Sequence, residues 1–214
     1  LGPENKLIFA MGPLAGTSAP ASGRFAIVSK SPMTGGFGEA FTGGFFAHEL
    51  KYAGYDAIIV EGKASEPVYI HIRNDEVEVR PAAHIWGKET LDMEETLKDE
   101  LGDIEYRFAS IGPGGERRIR FSNIMNDTDR AAGRTGLGAV MGSKNIKAIA
   151  VRGTKPVKVA DPERFRDNAL ANLKKINAFP TLAESFRQLG TAGGVEGLSA
   201  DGVLPTRYWE SGVF

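Results

Sequence analysis

Cysteine is absent from the 214 residues of this chain. This excludes disulfide bonds and thiolate ligation of an iron–sulfur cluster within the stretch. No apolar run approaches the roughly 18 residues of a membrane-spanning helix. A surplus of charge is lacking too, since 26 basic and 27 acidic residues leave a net charge of -1. The composition therefore gives no reason to expect a nucleic acid or a membrane as partner.

Side chains suited to catalysis are scarce. The three histidines, His48, His71 and His84, have no spacing typical of metal ligands. Glu94 and Glu95 are predicted to lie on a solvated face of a helix. No acid–base pair or activated nucleophile is convincing. We therefore predict no catalytic residue in this chain.

Two stretches of the chain follow one plan: an apolar run ending in Gly-Pro, an Arg-Phe strand, a glycine-rich helix entry and a second apolar run. The first copy reads KLIFAM-Gly12-Pro13, Arg24-Phe25-AIVSK, Gly43-Gly44-FFAHEL and Asp56-AIIVE-Gly62, and the second reads YRFASI-Gly112-Pro113, Arg120-Phe121-SNIMN, Gly136-Leu137-Gly138-AVM and Lys147-AIAVR-Gly153. Such self-similarity predicts one structural unit duplicated within a domain. Two glycine-rich helix entries indicate two related anion sites, hence a cofactor with paired phosphates or a pair of cofactors.

The hydrophobic pattern favours an α+β fold. Strands are predicted at residues 6–11, 24–30, 56–60, 68–72, 77–79, 105–111, 117–125 and 146–152, and helices from an N-cap at Thr42 to Gly54, at 89–101 and at 136–143. Strands interleaved with few helices at hairpin-like spacing favour mostly antiparallel sheets. Two similar halves predict two stacked sheets flanked by helices, in the order α/β/β/α.

The character of the chain changes at Asp161. Asp161 with Pro162 is typical of a helix start, and residues 181–184 form a capping box that opens a second helix ending at Gly190. We place a boundary near residue 158. The expected domains are residues 1–158 and residues 159–214, the latter being the first helices of an all-helical domain. A start at Leu1 rather than Met leads us to expect a piece of a longer protein.

The segment NDTDRAAGRTGLG, residues 126–138, is the sharpest local signal. Glycine permits close approach of the backbone to an anion, and the following helix adds free N–H groups. Arg130 and Arg134 supply bidentate donors suited to phosphate. The alternative is a tight surface turn whose arginines pair with Asp127 and Asp129. The first copy repeats the arrangement with Arg24 and a glycine pair, which favours the anion site over the turn.

These residues make the chain similar to a known family. The segments ENKLIFAMGPLAGTSAP, GRFAIVSKSPMTG, ELKYAGYDAIIVEGKA, HIWGK, ASIGPGGE, IMNDTDRAAGR and GAVMGSKNIKAIAV resemble the amino-terminal domain of aldehyde:ferredoxin oxidoreductases, the tungsten-pterin enzymes of anaerobes. They are spread in order through residues 4–153. Residues 159–214, ending in LPTRYWESGVF, resemble the opening helices of the domain that follows.

The resemblance implies a saddle of two stacked sheets under a cofactor. In that cofactor two pyranopterin dithiolenes chelate one tungsten, or molybdenum, and Mg²⁺ bridges their phosphates. Arg24 resembles the arginine between pterin and iron–sulfur cluster. The turn Phe41-Thr42-Gly43 resembles one that gives a backbone carbonyl, here that of Phe41, to Mg²⁺ and an amide to a phosphate. The turn Arg130-Ala131-Ala132-Gly133-Arg134 resembles the second, with Ala131 as the other carbonyl donor.

One position departs from the family pattern. Asparagine is familiar where this chain has Phe41. Because a backbone carbonyl makes the contact there, the substitution need not abolish it. Carbonyl and phosphate oxygens suit a hard dication such as Mg²⁺.

The implied activity is oxidation of an aldehyde to a carboxylic acid, with electrons passing through a [4Fe–4S] cluster to ferredoxin. The cluster cysteines and the Asp-x-x-Gly-Leu pterin motifs of the family lie outside this chain, so we expect the isolated chain to be inactive. Expected partners are ferredoxin, a small aldehyde and the remaining helical domains, with a homodimer as a candidate assembly and the cytoplasm as location. Two alternatives stay open: the same saddle in an enzyme that reduces an aryl thioester, and a non-catalytic phosphate- or nucleotide-binding module.

Overall fold

The structure is a computed structural model that describes residues 1–180 and 186–214. These residues divide into two compact units, Leu1–Lys158 and Val159–Phe214. Among the described helices, none has both the length and the apolar character needed to cross a membrane.

The first half of the larger unit forms a four-stranded antiparallel sheet. Its strands are β1 (Leu7–Met11), β2 (Phe25–Lys30), β3 (Phe37–Thr42) and β4 (Ala57–Val60), in the order β3-β2-β1-β4. Helix α1 (Phe46–Ala53) connects β3 to β4 and buries Phe46 and Leu50. Gly54 ends this helix with a φ of 103°, a left-handed conformation that suits glycine.

The second half builds a six-stranded sheet in the order β6-β5-β10-β7-β8-β9. Its strands are β5 (Val68–Arg73), β6 (Glu76–Pro81), β7 (Arg107–Ser110), β8 (Ile124–Asn126), β9 (Arg130–Ala132) and β10 (Ile146–Arg152), and its helices are α2 (Thr90–Leu101), α3 (Pro113–Glu116) and α4 (Leu137–Ser143). Strand β10 pairs in parallel with β5, and the other pairings described in this sheet are antiparallel. The predicted α+β fold with two mostly antiparallel sheets is confirmed.

The duplication in the sequence is a duplication of topology. The order β3-β2-β1-β4 recurs as β9-β8-β7-β10, and each half has one helix between its third and fourth strands. The hairpin β5–β6 and helix α2 are inserted between the two copies. We refer below to β1–β4 with α1 as the first half, and to β7–β10 with α4 and its flanking loops as the second half.

The main core joins the two sheets through the duplicated helices. Helix α1 contacts β1 of the first sheet and β7 and β10 of the second, while α4 contacts β1, β2 and β3 as well as β10. Phe9 and Ile27 share this core with Ile149 and Val151 of β10. A second core lies on the other face of β10, where Ala148 and Ala150 pack with the side chains of α2. Strand β10 is therefore buried on both faces, as its continuous apolar run indicates.

Three details of the predicted secondary structure are wrong. Strands β3 and β9 are missing from the predicted strands, because short edge strands that contain glycine, or only three residues, carry little periodicity. The strand expected at residues 117–125 is confined to Ile124–Asn126. Thr42 does not cap α1, since it ends β3 and its hydroxyl donates to Asn126 Oδ1 at 2.7 Å.

The smaller unit contains helix α5 (Pro162–Asn177), followed by α6 (Arg187–Leu189), a 3₁₀ turn (Gly190–Gly194) and α7 (Val195–Ala200). The predicted cap of α5 is confirmed: Asp161 Oδ1 accepts a hydrogen bond from the backbone N–H of Arg164 at 3.0 Å. None of the described side chains of α5 is buried within this unit. The capping box predicted at residues 181–184 falls on residues 181–185, which are outside the described part.

Candidate functional site

The two edge strands β3 and β9, one from each sheet, lie next to each other. An edge strand has backbone N–H and C=O groups on one side that its own sheet does not use. Two such edges side by side offer a ligand backbone donors and acceptors from both halves at once. The residues predicted to bind a cofactor lie at this junction.

Two adjoining cavities of about 530 and 720 Å³ form one groove along β3 and β9. The first is lined by Ala21, Gly23, Arg24, Phe41, Thr42, Gly43, Gly44, Asp129, Arg130 and Ala131, and the second by Arg24, Phe37, Glu39, Ala40, Phe41, Ala131, Gly133, Arg134 and Thr135. All eight predicted residues are therefore on the walls of one groove, which we call the inter-sheet groove. Their individual roles stay a prediction.

Gly43 and Gly133 occupy matching places on the two walls and have no packing reason to be glycine. A Cβ atom added at either residue would have no atom within 4 Å. Neither backbone N–H donates to an acceptor among residues 1–180 and 186–214. Space and free donors together make both positions suitable for close approach of a ligand. Gly136 differs, because a Cβ there would collide with the carbonyl of Arg120.

Three arginines border the inter-sheet groove, and one of them is paired. Arg130 Nε lies 3.5 Å from Asp129 Oδ1, and both side chains are mostly exposed, so this pair is weak. Arg24 and Arg134 make no ion pair within the described residues. The alternative of a self-paired surface turn therefore accounts for Arg130 alone. The remaining guanidinium groups are available to an anionic ligand.

The helix entries are less open than the sequence suggested. The backbone N–H groups of Phe45 and Phe46 at the start of α1 donate to Asp127 Oδ2 at 2.6 and 3.1 Å. In α4 the N–H of Gly138 donates to the carbonyl of Ser122 at 3.0 Å. Asp127 therefore occupies two N–H groups at the start of α1 that an anion would otherwise use. In the described part of the chain, the groove walls offer N–H groups without an acceptor a few residues before each helix, at Gly43 and Gly133.

A smaller cavity of about 260 Å³ lies beside the turn of residues 127–130. It is lined in part by Glu94, Lys98 and Arg107. The prediction that Glu94 is solvated is wrong, since the residue is 3% exposed and its Oε1 has no partner among the described residues. Burial raises the pKa of Glu94, and the nearby Lys98 ammonium lowers it less. Its position beside Met93 and three residues before Leu97 could have indicated the buried face of α2.

The histidines have separate surroundings. His71 is buried, its Nε2 lies 2.8 Å from the Tyr106 hydroxyl, and burial lowers its pKa. His84 Nε2 lies 2.8 Å from Glu100 Oε2, whereas His48 lies on α1. Within residues 1–180 and 186–214, no three His, Cys, Asp or Glu side chains converge as metal ligands.

Comparison with known proteins identifies related chains. The family model described as "Aldehyde ferredoxin oxidoreductase, N-terminal domain" matches residues 1–153. The tungsten-containing aldehyde ferredoxin oxidoreductase of Pyrococcus horikoshii is 51% identical over 212 residues, covering 99% of this chain, and that of Pyrococcus furiosus is 50% identical over 214 residues, covering 100%. The chain spans 35% of the length of each of these relatives.

A solved structure is similar over most of the chain. It is described as the active site complex BamBC of benzoyl coenzyme A reductase in complex with 1,5-dienoyl-CoA. The match has a TM-score of 0.80 and 44% sequence identity, and it covers 82% of this chain and 27% of the other. One backbone plan thus serves proteins described as acting on different substrates.

Proposed function

The chain belongs to the aldehyde ferredoxin oxidoreductase family, whose N-terminal domain it contains, and from this premise we propose that the inter-sheet groove seats a tungsten bis-pyranopterin cofactor. In the complete enzyme that cofactor supplies the redox chemistry by which an aldehyde becomes a carboxylic acid. The proposal assigns residues 1–158 to the cofactor-binding saddle and residues 159–214 to the start of a helical domain.

The observation that carries the proposal is the pair Gly43 and Gly133. Both leave open space where a side chain would stand, and one lies on each wall of the groove. Neither backbone N–H has an acceptor in the described part of the chain. Two such cradles, bordered by three arginines, fit a ligand with two phosphate groups. A single-phosphate ligand would leave one of the two walls unused.

The residues have separate roles in this proposal. The backbone carbonyls of Phe41 and Ala131, on the two edge strands, would hold Mg²⁺, because hard oxygen ligands suit that ion. The Thr42-Gly43 peptide would donate to one phosphate, and Gly133 and Arg134 to the other. Arg24 and Arg130 would neutralise the remaining negative charge. Phe41 is 55% exposed, so it does not anchor a core that would hinder this use of its backbone.

The chain binds and orients, and the reacting groups come from elsewhere. Among the described residues that line the groove there is no histidine or lysine, and the chain contains no cysteine. We propose that a [4Fe–4S] cluster, the substrate pocket and the surface that receives ferredoxin are formed by the other domains, in a cytoplasmic enzyme with a homodimer as candidate assembly. The role of the protein is to fix the position and electrostatics of the cofactor.

A second candidate function shares the same seat. The likeness to the benzoyl coenzyme A reductase complex, at 44% identity, supports a saddle used for reduction of an aryl thioester. Assays of the full-length enzyme with aldehydes and an oxidised viologen dye, and with an aryl-CoA and a reduced dye, separate the two. If the full-length protein contained neither tungsten nor molybdenum, the third reading, a phosphate- or nucleotide-binding module, would stand.

Arg24→Ala and Arg130→Ala in the full-length enzyme test the seat itself. Each change removes a cation that faces the phosphates, so we expect bound tungsten and pterin to fall by roughly tenfold while the thermal midpoint of the protein stays nearly unchanged. The readouts are elemental analysis and pterin fluorescence after oxidative release. Arg117→Ala, at an exposed arginine outside the groove, is the matched control. Unchanged tungsten content in both groove variants would refute the assigned roles.

A further inference from the structure

The two walls of the inter-sheet groove are tied together by bonds that cross between the halves of the domain. We propose that Asp127 with Asn126, and Ser31 on the opposite side, are positioning residues that hold the two walls at a fixed separation. The proposal rests on the proposed function only for the identity of the ligand in the groove. The bonds themselves are a property of the chain.

Asn126, at the end of β8, reaches from the second half to the first. Its side-chain amide donates to the carbonyl of Gly43 at 2.8 Å and to Asp127 Oδ2 at 3.0 Å, and its Oδ1 accepts from the Thr42 hydroxyl. The residue is 0% exposed, so water cannot replace any of these partners. A buried amide that uses both donors and its acceptor holds its neighbours in one arrangement.

Asp127 continues the same tie. Its Oδ2 accepts the backbone N–H groups of Phe45 and Phe46, where the positive end of the dipole of α1 favours a carboxylate. Asp127 and Thr128 have φ angles of 49° and 63°, a left-handed conformation that is costly for residues other than glycine. Bonding to α1 therefore offsets the strain of the turn that leads to Arg130.

Ser31 makes the corresponding tie in the other direction. It lies one residue after β2, as Asp127 lies one residue after β8, so the two positions match in the duplicated plan. Its hydroxyl donates to the carbonyl of Thr135 at 2.9 Å, and it is 2% exposed. Thr135 lines the groove next to Arg134 and stands just before the glycine that opens α4. Each half thus holds the helix entry of the other.

The ties control backbone groups that face the groove. Because the Gly43 carbonyl is held by Asn126, the N–H of Gly44 in the same trans peptide must point the opposite way. Gly44 itself has a φ of 94°, and a Cβ there would collide with Asp127 Oδ2. Glycine at position 44 is therefore explained by the tie, whereas glycine at position 43 is explained by the groove.

Amide hydrogen exchange in the cofactor-free full-length protein tests the ties directly. We expect Asp127→Ala to speed exchange at residues 42–46, and Ser31→Ala to speed exchange at residues 133–136, each in the half opposite the change. Asp129→Ala and Ser18→Ala are matched controls. Asp129 pairs with Arg130 of its own half rather than with the opposite half, and Ser18 is exposed. Unchanged exchange in the opposite half in both variants would overturn the proposal, whatever the groove binds.

Cofactor retention in the holoenzyme provides the second test. Loss of a supporting contact should raise the rate of tungsten release after dilution by about tenfold in Asp127→Ala. Asp127→Asn, which keeps an oxygen for the α1 N–H groups, should restore most of the retention, and a merely bulk loss of stability would not show this rescue. Release as slow as wild type in Asp127→Ala would contradict the positioning role. If the wild-type enzyme contained no tungsten, the proposed function would be contradicted, whereas the hydrogen-exchange experiment would still test the positioning role.

Discussion

The two halves of the domain share a strand order but pack their helices differently. Helix α1 fills the core with Phe46 and Leu50. Helix α4 also places Leu137, Val140 and Met141 in that core. In addition, it brings Gly138 and Gly142 against backbone, where an added Cβ would collide with the carbonyls of Asn123 and Gly115. Topology and the walls of the groove are preserved between the halves, whereas core packing has diverged. This is the outcome expected if the groove constrains the backbone of both halves more tightly than the shared core constrains individual side chains.

The charged residue that opens the last strand of each half shows the same divergence. Asp56 is exposed before β4 and pairs with Lys51, whereas Lys147 in β10 is 0% exposed and pairs with Glu116. Lys147 Nζ also donates to the carbonyl of Lys88 at 2.7 Å, and Glu116 accepts from the N–H of Gly87. Matching positions in the duplicated plan therefore differ in burial. They should differ as well in how far a substitution lowers the free energy of unfolding.

Lys147→Met should produce the largest effect. It leaves the Glu116 carboxylate buried without its cation, which we expect to lower the free energy of unfolding by about 3–5 kcal/mol. Asp56→Asn, at the matching exposed position, should change it by less than about 1 kcal/mol. Urea denaturation of the two variants measures both values. Similar losses at the two positions would contradict the difference in burial.

Gly142→Ala should rank second and separates packing from binding. The added Cβ forces the backbones of α4 and α3 apart, so we expect a loss of roughly 1–3 kcal/mol with little direct effect on the groove. Gly43→Ala, where the structure leaves open space, should change stability by less than about 0.5 kcal/mol yet reduce bound tungsten. Thermal unfolding and metal analysis together distinguish these outcomes. A Gly43→Ala enzyme that is stable and contains as much tungsten as wild type would contradict the proposed contact between Gly43 and the cofactor.

Glu94→Gln should rank third, after Lys147→Met and Gly142→Ala, in its effect on stability. It lies in α2, which has no counterpart in the first half. Burial raises the pKa of Glu94, so the folded protein loses stability as pH rises from the ordinary value near 4.5 through the raised one. Because glutamine does not titrate, the free energy of unfolding of the variant should rise relative to that of wild type across this pH range, by about 1 kcal/mol or less. The exposed neighbour Glu95→Gln is the control. A pH-independent difference between Glu94→Gln and wild type would show that the carboxyl is not buried in solution.

Local signals were sufficient for elements that carry their own pattern. The apolar runs of β1, β4 and β10, the helices α1 and α2, and the end of α1 at Gly54 are predicted from the sequence and are present in the structure. Strands β3 and β9 escaped prediction because their existence depends on pairing with β2 and β8 rather than on their own residues. These two strands carry most of the candidate site.

The candidate residues were found by sequence, and their contacts were not. The repeated turns and the family resemblance named both walls of the groove, since glycine and arginine spacing is a local property. That Asp127 would occupy the start of α1, rather than pair with an arginine, required bonds between residues 81 and 82 positions apart. Sequence separation of that size leaves no periodic signal.

The sequence by itself determined the duplication, the absence of thiolate ligands and the family, because each of these is read from residue identity and order. Tertiary structure alone decided that two edge strands meet, that Glu94 and Lys147 are buried, and that each half holds the helix entry of the other. The physical reason is that burial and cross-half hydrogen bonds depend on which distant surfaces pack together. Packing is a property of the whole domain, and no single segment encodes it.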